Sequence, residues 1–554
     1  MASEDEGAAE DTRRNSTLVA AGILLSRISG LVREAAIGRY LGASSSTEAF
    51  RTALRIPNLM QNLLGEGVLS ASFIPVYSRY LAEGRDEEAG RVAGAVAGLL
   101  IALAGLLVVI GVVFARPLTS VLAAGFAGEK FELTVTLVRI ITPGVGLLVL
   151  SAWCLGVLNS HRRFFLSYVA PVLWNAAMIA GLVVAAVGGA TGTSLATALA
   201  WGTFVGGALQ LAVQLPGVLR LTTGLRLGLD RHLPGVKRVL AAFGPVVVGR
   251  GVVQLSAYID LVLASFLATG ALASLSFAQT LYVLPISLFG MSVAAAELPE
   301  LSSVDHRVGP VVTGRVETGL QRIAFYVVPT TMAFIVVGDL LVGALYERGV
   351  FDPRTTTQVW LVLGAYSIGL LASTASRLLQ SALYGIGNTR APAAIASVRV
   401  LVSAIVGVLL MLQFDQFELT GSGVEQVGDL PTLSPAAESL RGASDNVYRL
   451  GALGLAAGAA VGSWVEWALL RGAVHLRFGR VRLGGAQLVP VLQAAAAAGL
   501  AAFGTRFVVS GLARIPAALV AVTVSGGVYL LVARWLAIPE ADDLADTLWS
   551  RWRR

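Results

Sequence analysis

The chain has 554 residues, 55% of them apolar and only 14% charged, with a net charge of +7 and a mean hydropathy of +0.74. That composition excludes an ordinary soluble protein and describes a polytopic membrane chain. A single cysteine, Cys154, excludes an internal disulfide and a cysteine-based zinc cluster.

Residues 1–17 are polar and mostly acidic, and they read as a cytoplasmic N-terminal segment. The apolar run that follows carries Arg27, Arg33 and Glu34, which argues against a cleaved signal peptide. From there the hydropathy pattern predicts an all-α membrane fold of about 14 spans. They fall at 18–40, 48–78, 92–115, 132–157, 167–187, 194–215, 239–268, 271–299, 323–345, 357–383, 392–412, 450–470, 487–509 and 515–533. Lys and Arg concentrate on alternate connections, beginning with the N-terminal one, so both termini, including the tail 534–554, are expected in the cytoplasm. The same bias accounts for the net positive charge without nucleic acid. The connection 413–449 is acidic and rich in Gly, Ser and Pro, and it reads as a mobile outer loop.

Charges interrupt the first two spans. Arg27, Arg33, Glu34, Arg39, Glu48, Arg51, Arg55 and Glu66 all lie between Ser26 and Tyr80. Each ionised side chain at bilayer depth costs roughly 2.5–3.5 kcal/mol on insertion scales, so such a set persists where the groups face a wet cavity or one another. Glu48, Arg51, Arg55, Asn58, Asn62 and Glu66 follow steps of three and four, which stacks them on one face of a spanning helix. In the preceding helix Arg27 and Glu34 share a face, while Arg33 lies about 120° away unless the helix bends near Ser29 and Gly30. The four histidines, His161, His232, His306 and His475, fall in predicted loops without ligand spacing, so no metal is expected. Neither lysine, Lys130 or Lys237, stands in a phosphate-binding G-K-[ST] context, and no nucleophile–base pair marks an enzyme.

A faint internal repeat is visible. Ala49-Phe50-Arg51-Thr52-Ala53-Leu54 ahead of Pro57 echoes Ser276-Phe277-Ala278-Gln279-Thr280-Leu281 ahead of Pro285. The echo predicts two six-helix lobes, 18–215 and 239–470, related by a pseudo-two-fold along the membrane normal, with the helices of 487–533 added after them.

The stretch from Ser26 to Pro75 resembles the opening of the MurJ (MviN) family of bacterial lipid II flippases. The family pattern is similar to S-R-x-x-G-x-x-R-[DE], then G-A, [DE]-A-F, P-N-L, E-G and F-I-P. Here it stands as Ser26, Arg27, Gly30, Arg33 and Glu34, then Gly42-Ala43, Glu48-Ala49-Phe50, Pro57-Asn58-Leu59, Glu66-Gly67 and Phe73-Ile74-Pro75. Phe243-Gly244-Pro245, Ala264-Ser265-Phe266-Leu267, Leu298-Pro299 and the turn from Tyr384 to Pro392 extend the resemblance along the chain.

The resemblance implies translocation of undecaprenyl-pyrophosphate-linked disaccharide pentapeptide across the bacterial cytoplasmic membrane by alternating access, with no cofactor. By resemblance Arg27, Arg33 and Arg377, with Asn58, bind the pyrophosphate, which guanidinium groups suit by bidentate geometry. Glu34, Glu48, Arg55 and Glu66 become gate or charge partners, and the last two spans line a groove for the polyprenyl tail. Lipid II or a related glycolipid and membrane lipids are the partners implied, and a monomer is expected. The chain also departs from the family. Gln61 stands where relatives usually carry arginine, and Gln279 and Thr280 stand where they carry a D-R pair. Arg250 and Arg399 occupy positions commonly uncharged, and Arg250, about 18 Å along its helix from Arg238 at ~1.5 Å per residue, is expected to restore charge to the cleft. Asp260 resembles a carboxylate that some relatives use for Na⁺, but the matching positions here, Ser403 and Gly407, are poor ligands. Arg399 is expected to pair with Asp260 instead, and sodium coupling is not expected. Glu466, between Trp464 and Trp467, reads as an interfacial acid. Two alternatives stay open: a flippase for another polyprenyl-pyrophosphate glycan, and a drug or cation antiporter of the same general fold.

Overall fold

Runs this apolar can satisfy their backbone inside a bilayer only as helices or closed barrels, and the chain is a succession of helices. The computed structural model describes residues 2–290, 309–481 and 485–544, and their side chains except at 2–20, 248–257, 309–310 and 485–487. The chain divides into two compact units. Unit 1 is Met1–Phe266 with Arg441–Asp445, and unit 2 is Leu267–Leu440 with Asn446–Arg554.

Unit 1 contains α1 (Ala2–Leu41), α2 (Ser45–Leu64), α3 (Glu66–Ser72), α4 (Ile74–Ala82), α5 (Asp86–Val113), α6 (Ala115–Leu122), α7 (Gly128–Ser160), α8 (Phe164–Val187), α9 (Gly192–Leu221) and α10 (Pro234–Ser265). The repeat assigns α10 to the second lobe, yet α10 clusters with unit 1. Its first turns explain this: Val236 and Val239 join the core of Phe73, Tyr77, Val96 and Trp153, and a β-carbon on Gly235 would lie 2.6 Å from Val92.

The second expected span, 48–78, is not one helix. α2 ends at Leu64, and Gly65 takes extended angles before α3 starts at Glu66. A β-carbon on Gly65 would lie 2.2 Å from the Gln61 carbonyl oxygen, so the break uses the missing side chain. Glu66 therefore opens a new helix and does not continue the face of Glu48 and Arg51.

Unit 2 contains α11 (Ala271–Pro285), which passes into a π turn at Ile286–Gly290, then α12 (Gly309–Val336), α13 (Gly338–Tyr346), α14 (Pro353–Ile368), α15 (Leu370–Gly385), α16 (Arg390–Phe414), the strands β1 (Phe417–Leu419) and β2 (Val424–Gln426), α17 (Glu438–Arg441), α18 (Gly451–Phe478), α19 (Gly485–Val508) and α20 (Arg514–Trp535). Leu298 and Pro299 lie outside the described residues. Among the described residues ten helices are long and apolar enough to span a membrane, and the pair α14–α15, bent by 42°, makes an eleventh. The bend sits at Gly369, where a β-carbon would lie 2.7 Å from Ala460 of α18. The remaining three of the fourteen expected positions are α1, the broken α2–α4 stretch and α10. α13 is tied at both ends to the last two helices, by the ion pair of Asp339 with Arg506 and that of Glu347 with Arg514 at 2.8 Å.

α16 and α18 pack through small residues in a fixed register. A β-carbon on Gly454 would lie 2.4 Å from Met411 N, one on Gly458 2.5 Å from Gly407, and one on Gly462 1.9 Å from Ser403 Oγ. Each advance of four on α18 meets a retreat of four on α16, the close approach that small residues permit between membrane helices. The next pair in this register is Glu466 with Arg399.

The connection 413–449 is folded, against the expectation of a mobile loop. β1 and β2 pair antiparallel, Glu418 bridges to Arg449, and Tyr448 donates to Asp352 Oδ2 at 2.8 Å. Glu418 pairs with Arg449 and Glu425 accepts from Thr420 and Ser422, local partners that a composition argument does not see.

Candidate functional site

In unit 1 three charges of the first two spans, Arg33, Glu34 and Arg51, form one network. The Glu34 carboxylate is buried, 6% exposed, and a bare carboxylate there would be prohibitive. Arg33 Nη2 donates to its Oε1 at 2.7 Å, and Arg51 Nη2 reaches its Oε2 from α2 at 2.6 Å. Arg33 Nη1 also donates to Asn175 Oδ1 of α8 at 2.9 Å, and Asn175 Nδ2 donates to Ser29 Oγ at 2.8 Å. Trp174 lies 5.2 Å under the Arg33 guanidinium. Arg33 thus reaches its chain neighbour by folding along the helix surface, within a single uninterrupted α1. The cluster brings two guanidiniums onto one carboxylate.

The other expected residues fall in different places. Arg27 is exposed and stands apart from the Glu34 network. Asn58 presents a buried Oδ1 with no hydrogen-bond partner among the described residues. Arg55 accepts the Tyr258 hydroxyl on its backbone carbonyl at 3.0 Å. Glu66 is exposed at the start of α3. The Arg250 side chain lies outside the described residues. Glu48 was expected to partner a cavity arginine; its ion pair is with Lys130 of α7, and both side chains are almost wholly buried. Lys130 Nζ donates onward to the Arg441 carbonyl at 3.0 Å, Arg441 Nη1 donates to the Gly125 carbonyl at 2.6 Å, and Ser45 N donates to the Ser444 carbonyl at 3.0 Å. Lys130 was passed over because its sequence neighbours carry no motif. Its signal was that it is one of only two lysines in the chain, at the edge of an apolar run, with an unexplained acid elsewhere.

In unit 2 the acid that meets Arg399 is Glu466, at 3.3 Å. Glu466 is buried, 2% exposed, so it is no interfacial acid. Its Oε1 accepts Gln380 Nε2 of α15 at 3.0 Å. Ser403 packs its hydroxyl against Gly462, which gives it a place in the helix contact. Arg377 is exposed on α15. Among the described residues no group of three His, Cys, Asp or Glu side chains is placed to hold a metal.

Residues 37–423 match the family model described as "Lipid II flippase MurJ". The chain is 33% identical over 390 residues to a probable lipid II flippase MurJ of Rhizobium tropici, covering 70% of this chain and 73% of the relative. It is 33% identical over 409 residues to the lipid II flippase MurJ of Burkholderia cenocepacia, covering 71% and 75%.

The chain belongs to the MurJ family.

A solved MurJ structure in an inward closed conformation superposes with a TM-score of 0.73 at 20% identity, covering 93% of this chain and 98% of that one. An inward-facing multidrug resistance MATE transporter superposes with a TM-score of 0.58 at 16% identity, covering 81% and 96%. At those identities both likenesses speak to fold alone, a polytopic all-α architecture. Arg27, Arg33 and Glu34 precede the stretch matched by the MurJ model, and Glu466 follows it. The geometry of the Glu34 network therefore supports the site independently of that match.

Proposed function

We propose that the protein moves lipid II between the leaflets of the bacterial cytoplasmic membrane by alternating access, as its MurJ relatives are named for doing, with both termini in the cytoplasm. The observation that carries this reading is the Glu34 network: two guanidiniums fixed by one carboxylate form a preorganised surface in a span. A pyrophosphate is a compact multi-anion, and paired guanidiniums recognise it through charge-assisted hydrogen bonds that persist at any physiological pH. Arg33 and Arg51 hold their forks in place through Glu34 and Asn175, Arg27 stands open nearby in sequence, and the Asn58 Oδ1, without a hydrogen-bond partner among the described residues, can accept from a sugar or amide of the headgroup.

The isoprenoid tail needs an apolar surface. α19 and α20 pack on α12 through Ala494, Ala498 and Tyr529 and present Leu500, Phe507, Leu519 and Leu531 outward. A cavity of about 200 Å³ lined by Ala324, Leu488, Val491 and Ile538 adjoins them. Sodium coupling is not part of this reading, because Ser403 is committed to the α18 contact and Arg399 already supplies a cation beside Glu466. A cationic-drug antiporter would need acids and aromatics where this chain places arginines. The test is replacement of the resident flippase in a bacterium depleted of its own: growth with the unmodified chain and lysis with Arg33→Ala at equal membrane abundance are expected. Growth with Arg33→Ala equal to that of the unmodified chain would overturn the assignment of the site.

A further inference from the structure

We infer that unit 2 carries a second anion-binding site, formed by the guanidiniums of Arg377 and Arg399, in which Glu466 and Gln380 position Arg399. The inference rests on the pyrophosphate reading above.

The register of α16 and α18 produces the pair. After three steps of glycine contact, the fourth places an acid, Glu466, against Arg399, and burial leaves that acid needing a counter-charge. Arg399 supplies it as an ion pair, with one guanidinium nitrogen 3.3 Å from Oε2, while Gln380 donates to the other carboxylate oxygen. A guanidinium carries five N–H donors. Arg399, a third exposed, therefore keeps most of its fork for another acceptor.

Arg377 is placed by the same helix that carries Gln380. Ser373, Arg377 and Gln380 follow steps of four and three, so they share one face of α15. Ser373 meets the Tyr282 hydroxyl of α11, and Tyr282 lies within electrostatic reach of Arg377, Arg399 and Glu466 together. Arg377 thus stands between a residue facing Tyr282 and a residue facing Glu466. Its guanidinium makes no ion pair among the described residues and is exposed. Measured from the turn 386–389 that joins α15 to α16, Arg377 and Arg399 lie about 12 and about 14 Å along their helices, at ~1.5 Å per residue, so they share a depth. One acid balances one of two arginines, and the surplus charge at a spanning helix calls for an anion or water. Two guanidiniums at one level, both within reach of the Tyr282 and Glu466 surroundings, suit the two phosphates of a pyrophosphate ester.

The experiment measures binding of farnesyl pyrophosphate to the full chain in detergent, with farnesyl monophosphate, farnesol and phosphatidylglycerol as controls. The unmodified protein is expected to prefer the pyrophosphate. Arg377→Gln and Arg399→Gln should each weaken it about tenfold or more, the usual scale for a lost charge-assisted contact, and Arg377→Lys should recover part of the loss. Glu466→Gln, close to isosteric, should weaken binding when Arg399 is present and change nothing further when Arg399 is already Gln. Unit 2 variants that bind normally while Arg33→Gln fails would overturn this inference and leave the proposed function standing. A chain that binds no pyrophosphate in any form would remove both. Equal displacement by phosphatidylglycerol, or a Glu466→Gln loss that extends equally to farnesol, would also overturn it, the first by assigning the arginines to bulk lipid and the second by showing a packing role.

Discussion

The two charged clusters solve the same problem differently. Around Glu34 in unit 1, two guanidiniums close on one carboxylate at 2.7 and 2.6 Å, with Asn175 and Trp174 fixing one of them. Around Glu466 in unit 2, one guanidinium approaches at 3.3 Å and the second, Arg377, makes no ion pair among the described residues. Tight pairing preorganises a fork, and loose pairing leaves donors to spare. A third acid, Glu48, is paired wholly inside the protein with Lys130 and has nothing to offer a cargo. Net charge alone therefore does not mark a binding cluster; what matters is how many donors remain after the acid is satisfied.

The largest effect should come from breaking the tight cluster. Arg33→Ala should abolish translocation while the protein still inserts, and Arg33→Lys should restore only part, since an ammonium lacks the fork; a flipping assay on matched proteoliposomes checks it. The wholly buried pair comes next. Lys130→Met should cost about 3–5 kcal/mol of stability, because Glu48 would remain buried without its counter-charge. Lys130→Met with Glu48→Gln should cost less than Lys130→Met alone, and thermal unfolding of the two variants decides it. In the loose cluster, Arg399→Ser leaves Glu466 with Gln380, so a loss of about 1–3 kcal/mol is expected, smaller than that of Lys130→Met.

The smallest effect is a pH dependence outside the spans. Asp415, one residue beyond α16, is 1% exposed, and no side chain among the described residues hydrogen-bonds its carboxylate oxygens. Arg449 donates at 2.7 Å to the Asp415 backbone carbonyl. Burial outweighs the pull of Arg449 and pushes the carboxyl up from 3.8 to about 7. The folded chain then holds a proton that the unfolded chain releases, so this contribution to stability is full below the ordinary value and is lost as pH rises through about 7. Asp415→Asn should flatten that part of the melting profile between about pH 4 and about pH 7.

Much of this was legible in the sequence. Long apolar runs, the basic bias of alternate connections and the interrupted first two spans gave the fold class and pointed to Arg33 and Glu34. Other features depended on partners far away in the chain. Lys130 meets Glu48 across 82 positions of sequence, and Glu466 meets Arg399 only because Gly454, Gly458 and Gly462 set a register with α16. A helical stripe drawn through Glu66 failed because Gly65 breaks the helix, and a glycine in an apolar stretch does not announce whether it packs or bends. The acidic connection 413–449 looked mobile by composition, whereas Glu418 and Glu425 find Arg449 and other local partners only once folded.

The central claim is that this chain carries a polyprenyl-pyrophosphate glycolipid across the bilayer on arginines that a buried acid holds in place. The most direct measurement reconstitutes the full protein in liposomes with fluorescent lipid II in one leaflet and follows its appearance in the other, beside the same tail bearing a neutral headgroup. Transfer of lipid II that needs the pyrophosphate and disappears with Arg33→Ala is the predicted result. Transfer that ignores the headgroup charge, or that persists unchanged in Arg33→Ala, would contradict the account.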